Sequence, residues 1–171
     1  MEAVGSPAGD RELGLAYAEM AVRGDQAAGE RALKLLQRDE AETGGAPGDT
    51  EVHDRLGFLE QVSGDPDAAG SEYNRAIEAN PYDSLALGDL ALIRARQHQY
   101  GEAERLWKTA FDHDPVQIGA GLNLAIVECA AGKRPDALAT LERVLVFDPD
   151  NSKARSLAAE IRAGKTGCAV R

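Results

Sequence analysis

Proline recurs at a fixed interval of 34 residues in this sequence. Pro81, Pro115 and Pro149 each follow an asparagine or an aspartate. Because proline has no backbone N–H and disfavours helix in the residue before it, each one predicts the end of a helix. A helix end that returns at constant spacing predicts a chain built from structural repeats of equal length.

Five other positions keep their residue type when these prolines are set at position 32 of a 34-residue repeat. The three repeats are then residues 50–83, 84–117 and 118–151. Glycine or alanine at positions 8 and 20 lets two helices approach closely, and a large residue at position 24 fills the space beside them. Small residues at position 27 leave room for the next repeat. The residues are Leu56, Leu90 and Leu124 at position 7; Gly57, Ala91 and Ala125 at position 8; Ala69, Ala103 and Ala137 at position 20; Tyr73, Trp107 and Leu141 at position 24; and Ala76, Ala110 and Val144 at position 27.

This pattern resembles the tetratricopeptide repeat (TPR) family, whose repeat is a 34-residue helix–turn–helix with small residues at positions 8, 20 and 27 and proline at 32. The resemblance implies an all-α fold, a right-handed α-solenoid of antiparallel helix pairs, in which stacked pairs share one core. Two positions depart from the family pattern and predict somewhat weaker packing between neighbours. They are position 4, often tryptophan, with His53, Leu87 and Gly121, and position 11, often tyrosine, with Glu60, Arg94 and Glu128.

The rest of the chain fits the same plan more loosely. Residues 10–49 are interpreted as a degenerate helix hairpin followed by an inserted loop, with Leu15 and Ala16 at positions 7 and 8, Ala28 at 20 and Leu35 at 27. Residues 152–163 carry apolar side chains on one helical face, which predicts a capping helix. Residues 1–9 and 164–171 are expected to be flexible tails. The prediction is nine helices.

The net charge restricts the classes of partner. The chain has 171 residues and a formal net charge of -10. A strongly acidic chain repels phosphate backbones and anionic lipid, so we expect neither nucleic-acid binding nor binding to a membrane surface. No apolar run approaches the roughly 18 residues needed to span a bilayer, so we do not expect insertion into a membrane. The N-terminal sequence lacks the basic and apolar blocks of a signal peptide. We expect a cytoplasmic location, or a periplasmic one if the sequence is a segment of a larger exported protein; its alanine, glycine and arginine content is compatible with a bacterial source.

No residue pattern indicates catalysis. A nucleophilic Cys or Ser needs an adjacent base, which neither Cys129 nor any serine has, and no glycine-rich phosphate loop is present. The sequence therefore predicts no enzyme and no cofactor. Cys129 is expected to be a small buried apolar residue, and Cys168 lies in a terminal "CAVR" whose last residue does not suit prenylation.

Metal binding is also not expected. His53, His98 and His113 fall at positions 4, 15 and 30 of different repeats, which do not converge in a stacked array. The stretch "FDPDNS" resembles the start of a calcium loop but lacks its glycine and its distal glutamate. The tripeptide "RGD" at residues 23–25 is interpreted as the turn within the first hairpin.

The resemblance implies a concave groove lined by the first helix of each repeat. Position 9 of that helix is large and apolar in every repeat, and polar residues lie beside it. We therefore expect the groove to take an apolar segment of a protein partner. The expected groove residues are Tyr17, Phe58, Leu92 and Ile126 as the apolar row, with Arg55, Asp89, Arg96 and Asn123 as polar anchors.

A second binding mode of the family, the carboxylate clamp that grips the acidic C-termini of heat-shock chaperones, is not expected. The clamp uses Lys and Asn, then Asn, then Lys and Arg across three successive repeats. None of the matching residues here has the required type, and two aspartates would repel a carboxylate. These residues are Asp54, Phe58, Asp89, Gly119 and Asn123.

Three functions stay open from the sequence. The first is a non-catalytic scaffold or adaptor that binds other proteins. The second is the repeat arm of a larger multidomain enzyme or of a bacterial envelope complex. The third is self-association through end-to-end stacking of repeats.

Overall fold

The computed structural model describes residues 7–43 and 49–164, and within these ranges all regular secondary structure is helical. The prediction of an all-α chain with nine helices is confirmed for this part of the sequence. The chain forms two compact units, an N-terminal unit that ends at Pro81 and contains α1–α4, and a C-terminal unit that begins at Tyr82 and contains α5–α9. The helices are α1 (Pro7–Val22), α2 (Gln26–Thr43), α3 (Thr50–Ser63), α4 (Pro66–Ala79), α5 (Ser84–Arg96), α6 (Tyr100–His113), α7 (Ile118–Ala130), α8 (Arg134–Phe147) and α9 (Ser152–Arg162).

The recurring prolines set three helix ends with the same geometry. Helices α4, α6 and α8 each stop two residues before a proline. The residue between adopts an extended backbone, with φ of -136°, -132° and -132° at Asn80, Asp114 and Asp148. Its N–H still donates to the carbonyl at position 27, at 2.8–2.9 Å. The chain therefore leaves α4, α6 and α8 with the same backbone conformation.

Side-chain caps begin several helices. Asp65 accepts a hydrogen bond from the Ala68 N–H at 3.0 Å, with Pro66 as the first helical residue, as the sequence predicts. Asp83 caps α5 in the same way. In "FDPDNS", the Asn151 Oδ1 accepts from the Ala154 N–H at 2.9 Å and caps α9. The acidic and amide groups of that stretch thus start a helix.

The repeated columns form the core between paired helices. Contacts join α3 with α4, α5 with α6, and α7 with α8. The alanines at position 20 have no solvent-exposed surface, and the large residues at position 24 are buried beside them. Trp107 is buried, as predicted, and its Nε1–H donates to the Gly88 carbonyl at 3.2 Å. At position 8, a Cβ added to Gly57 would lie 2.7 Å from the Tyr73 ring, so the close approach of α3 and α4 requires glycine there.

The first hairpin forms, but with a different register from the predicted one. Ala16, expected at a packing position, is exposed, whereas Gly14 and Ala18 are buried against α2. A Cβ on Gly14 would lie 2.7 Å from Leu36. The predicted register in α1 is therefore wrong, although Ala28 is buried as expected. The "RGD" tripeptide does form the turn between α1 and α2, with Gly24 at φ +95°.

In one repeat, position 4 departs from the family pattern because neighbouring side chains occupy its space. In the third repeat this position is Gly121, and a Cβ there would lie 2.6 Å from Val144 and 2.8 Å from Phe111. Phe111 of α6 has no exposed surface. An aromatic ring from the preceding helix thus takes the volume that a position-4 side chain would occupy.

Some expectations concern residues outside the described ranges. The tail predictions fall mostly on residues 1–6 and 165–171, and the inserted loop on residues 44–48; residues 7–9 belong to α1. Cys129 is buried, as predicted for a small apolar residue. It is also disulfide-bonded, which was not predicted. Cys168 lies outside the described residues. Among the described helices, none has both the length and the apolar character needed to span a membrane.

Replacing Gly121 by alanine should destabilise the chain by about 1–3 kcal/mol, because Phe111 and Val144 must move to admit a methyl group. Gly119 lies in the same helix with nothing near its Cβ position, so Gly119→Ala should be neutral or stabilising by up to about 1 kcal/mol. Urea unfolding of both variants measures the difference. Equal stabilities would contradict the proposed close contact.

Candidate functional site

The predicted groove residues of the N-terminal unit lie on α1 and α3, which contact each other. Tyr17 and Phe58 are partly buried and pack against the core cluster that includes Ala18, Leu36 and Leu56. The apolar row is therefore half-buried in this unit.

Exposed apolar side chains extend this face. Val62, one turn after Phe58 on α3, is 67% exposed, and Met20, one turn after Tyr17 on α1, is also exposed. Charged groups border it, because Arg55 Nη2 lies 3.9 Å from Glu19 Oε1. The Arg31 guanidinium lies 5.7 Å from the centre of the Tyr17 ring. The N-terminal unit thus presents an apolar face with a charged edge.

In the C-terminal unit, the predicted residues of α5 lie on one face of that helix. Asp89, Leu92 and Arg96 are spaced at i, i+3 and i+7. Leu92 and Asp89 are half-buried and Arg96 is exposed. Leu85 precedes them on the same face and is 57% exposed. This row combines apolar surface with both signs of charge.

The predicted residues of α7 form a second, shorter row. Asn123 and Ile126 are one turn apart and both half-buried. Gly119 precedes Asn123 by one turn and Ala130 follows Ile126 by one turn; both are exposed. The small side chains at the two ends leave the amide and the isoleucine accessible along the helix.

A polar cluster in the N-terminal unit was missed by the sequence analysis. His53 of α3 and Glu72 of α4 are buried, and His53 Nδ1 lies 2.8 Å from Glu72 Oε2. Glu40 of α2 lies close by, so that candidate ligand atoms of the three residues are all within 4.8 Å of one another. Arg75 contacts Glu40, and its Nη1 lies 3.2 Å from Glu72 Oε1.

A signal for this cluster was present in the sequence. His53 stands at position 4, where a tryptophan is common in the family, and Glu72 stands at position 23 of the same repeat. Positions 4 and 23 lie on the two paired helices α3 and α4. A histidine at position 4 can therefore pair with an acidic residue of its own repeat, although the other two histidines lie in the C-terminal unit.

Glu60, at position 11 of the same repeat, has a raised pKa. Its Oε2 is buried and has no hydrogen-bond partner among the described residues. Burial raises the pKa of Glu60 from 4.5 to about 7, and the negative charge of Glu72 adds to this effect. A hydrogen bond from Gln37 opposes the increase. The carboxyl group is therefore partly protonated at neutral pH.

The fold and the repeated core columns define a class, the all-α proteins made of repeated helix hairpins. Two tetratricopeptide repeat models match the sequence, one at residues 94–161 and the other at residues 72–105, and together they cover residues 72–161, more than half of the chain. The chain belongs to the tetratricopeptide repeat family. The resemblance stated from the 34-residue columns is confirmed.

Solved structures share the fold over most of the chain. MamA of strain AMB-1 is similar with a TM-score of 0.75 at 17% identity, over 94% of this chain and 84% of MamA. PilF of Pseudomonas aeruginosa is similar with a TM-score of 0.73 at 19% identity, over 92% of this chain and 71% of PilF. The first TPR of Spaghetti (RPAP3), bound to the HSP90 peptide SRMEEVD, has a TM-score of 0.62 at 22% identity, over 69% and 94%. These similarities confirm the predicted fold class; no curated protein matches the sequence.

The raised pKa of Glu60 predicts a dependence of stability on pH. The folded chain binds this proton more tightly than the unfolded chain, so its contribution to stability increases as pH falls from about 7 to 4.5. Glu60→Gln removes the charge and should stabilise the chain at pH 8, by about 1 kcal/mol after allowance for solvent screening. The gain should shrink towards pH 4.5.

Urea unfolding of both proteins from pH 4.5 to 8 measures this difference. Glu78→Gln is a matched control, because Glu78 is an exposed carboxylate on α4. A constant difference between Glu60→Gln and the unchanged chain across this range would contradict the assignment.

Proposed function

We propose that the chain is a non-catalytic adaptor that binds apolar segments of a partner protein on exposed helix faces of each unit. These faces carry Phe58 in the N-terminal unit, and Leu92 and Ile126 in the C-terminal unit. Its family supports a protein-interaction scaffold in general, and one solved relative of the same fold is bound to a peptide. The observation that carries the proposal is the large apolar residue that each repeat presents at position 9.

The exposed neighbours of these residues provide the apolar contact area. Val62 and Leu85 are more than half exposed and lie one or two turns from Phe58 and Leu92. Covering an aliphatic side chain of this size contributes up to about 1.5–3 kcal/mol. A few such anchors usually dominate the affinity of an interface.

Polar residues beside the apolar rows provide orientation. Arg55, Arg96, Asp89 and Asn123 would lie at the rim, where charged groups affect specificity and association rate more than affinity. The Asn123 amide can both donate to and accept from the backbone of an extended segment. Since the rim has both signs of charge, we expect a partner segment with mixed charges around an apolar centre.

Two alternatives from the sequence are tested by other measurements. If the chain is the repeat arm of a larger enzyme or envelope complex, the full open reading frame will encode a neighbouring catalytic or envelope domain. If it self-associates, its mass in solution will be a multiple of the monomer mass. Both are compatible with the same helix faces binding a partner.

A photo-crosslinking experiment tests the proposed face in the C-terminal unit. A photoreactive phenylalanine analogue replaces Leu85, which is exposed on the same face as Leu92. In cells of the native source we expect an adduct of discrete mass. The control carries the analogue at Val146, which is 73% exposed on α8, and should give no such adduct.

The same experiment with Leu92→Ser and Ile126→Ser separates docking from random collision. These changes should abolish the adduct at position 85, because they remove the apolar contacts, while circular dichroism shows that helix content is kept. An adduct that persists at full yield in the double variant, or that forms equally from position 146, would contradict the proposed face.

The peptide SRMEEVD should not bind this chain, although it binds a protein of similar fold. The residues that match the chaperone-clamp positions include Asp54 and Asp89, whose charges repel a terminal carboxylate. Fluorescence anisotropy of the labelled peptide should show no saturable binding up to a concentration of about 1 mM, the limit of weak affinity. Saturable binding that is lost when the terminal carboxylate is amidated would contradict this prediction.

A further inference from the structure

We propose that Glu40, His53 and Glu72 form a binding site for a divalent transition-metal ion in the N-terminal unit. The three residues come from three consecutive helices, α2, α3 and α4. Their candidate ligand atoms are all within 4.8 Å of one another. The site was not predicted from the sequence, and it is independent of the proposed adaptor function.

The cluster carries negative charge and is largely buried from solvent. His53 and Glu72 are only 6% and 8% exposed. Two carboxylates on one imidazole leave negative charge that water screens poorly. Arg75 is the cation that now balances it, through its contacts with Glu40 and Glu72. The Arg75 side chain is 52% exposed, so it can move into solvent when another cation binds.

A second observation also points to a cation. Asp39, next to Glu40 on α2, is a second acidic residue that is only 5% exposed. Together with Glu40 and His53 it lines a cavity of about 40 Å³. A buried carboxylate is unfavourable unless a positive charge lies nearby. Arg11 also lines this cavity, and it is paired with Asp49. The cavity is large enough for one or two water molecules.

The ligand types indicate the class of metal. An imidazole together with carboxylates suits zinc and its first-row neighbours, whereas magnesium and calcium prefer oxygen ligands alone. Three protein ligands leave a coordination position for water. The ion would link α2 to α3 and α4, and thereby join the degenerate first hairpin to the first regular repeat.

Zinc titration of the untagged full chain tests the site. After dialysis against a chelator and then buffer, isothermal titration calorimetry with ZnCl2 should show one equivalent bound, and the ion should raise the unfolding temperature. Co²⁺ should give visible absorption bands typical of a low-coordinate site with a nitrogen ligand. If no zinc binds at concentrations up to about 100 μM, a level at which even modest sites are occupied, the proposal is wrong.

Variants assign the ligands. Glu40→Gln and Glu72→Gln keep side-chain shape, and each should weaken zinc binding by more than the roughly 10–100-fold that loss of a supporting hydrogen bond costs a metal site. Arg75→Met should strengthen binding, because it removes the competing cation and keeps an unbranched apolar side chain. An unfolded variant could not bind zinc more tightly, so this predicted increase in affinity cannot be explained by misfolding.

Matched controls use the other two histidines. His98 and His113 lie in the C-terminal unit, so His98→Asn and His113→Asn should leave zinc affinity unchanged. Loss of binding in these variants, or unchanged binding in both glutamine variants, would place the metal elsewhere and overturn the proposal. Circular dichroism of every variant confirms that the helices are formed.

Discussion

The close approach of two helices within each pair is the constraint on which the rest of the structure depends. It is possible because alanine occupies position 20, where Ala69, Ala103 and Ala137 have no exposed surface. At so short a distance the large side chain at position 24 can fill the adjoining space, as Trp107 does on Gly88. A larger residue at position 20 would separate the helices and expose that core. The same helices pack in the core through one face, so that the opposite face is left accessible to a partner.

Much of the fold could be predicted because its determinants are local or strictly periodic. Pro81, Pro115 and Pro149 end helices through their own covalent geometry, and Asp65 caps α4 by accepting from an N–H only three residues further along the chain. The first hairpin was harder, because no proline marks its end and alanine occupies both buried and exposed positions in α1. Alanine at a given position does not by itself show which face of a helix is buried. The burial of Ala18 and the close approach of Gly14 to Leu36 identify the face.

Some features of the candidate sites could likewise be predicted from local sequence, whereas others depend on contacts between helices. The apolar rows follow from the family resemblance and from helical spacing, but their half-buried state depends on neighbouring helices, as for Phe58 against the core cluster. The cluster of Glu40, His53 and Glu72 depends on proximity between residues 13, 19 and 32 positions apart, across two helix pairs. No spacing rule of a single helix predicts such a group. Position 4 is an example, because its histidine, leucine and glycine each pack in a different local environment, which depends on neighbouring helices.

The repeated joint after each second helix has a consequence for how such a chain can change in length. Asp114 and Asp148 have the same extended backbone, and each N–H bonds back to position 27 of its own repeat. The exit direction is therefore a property of one repeat, whatever follows it. A duplication or deletion of 34 residues with both ends at such joints would leave every remaining hairpin with its own caps. A change in length by whole 34-residue repeats is thus compatible with folding. A gain or loss of a few residues within a hairpin would instead shift its small residues away from the side chains against which they pack.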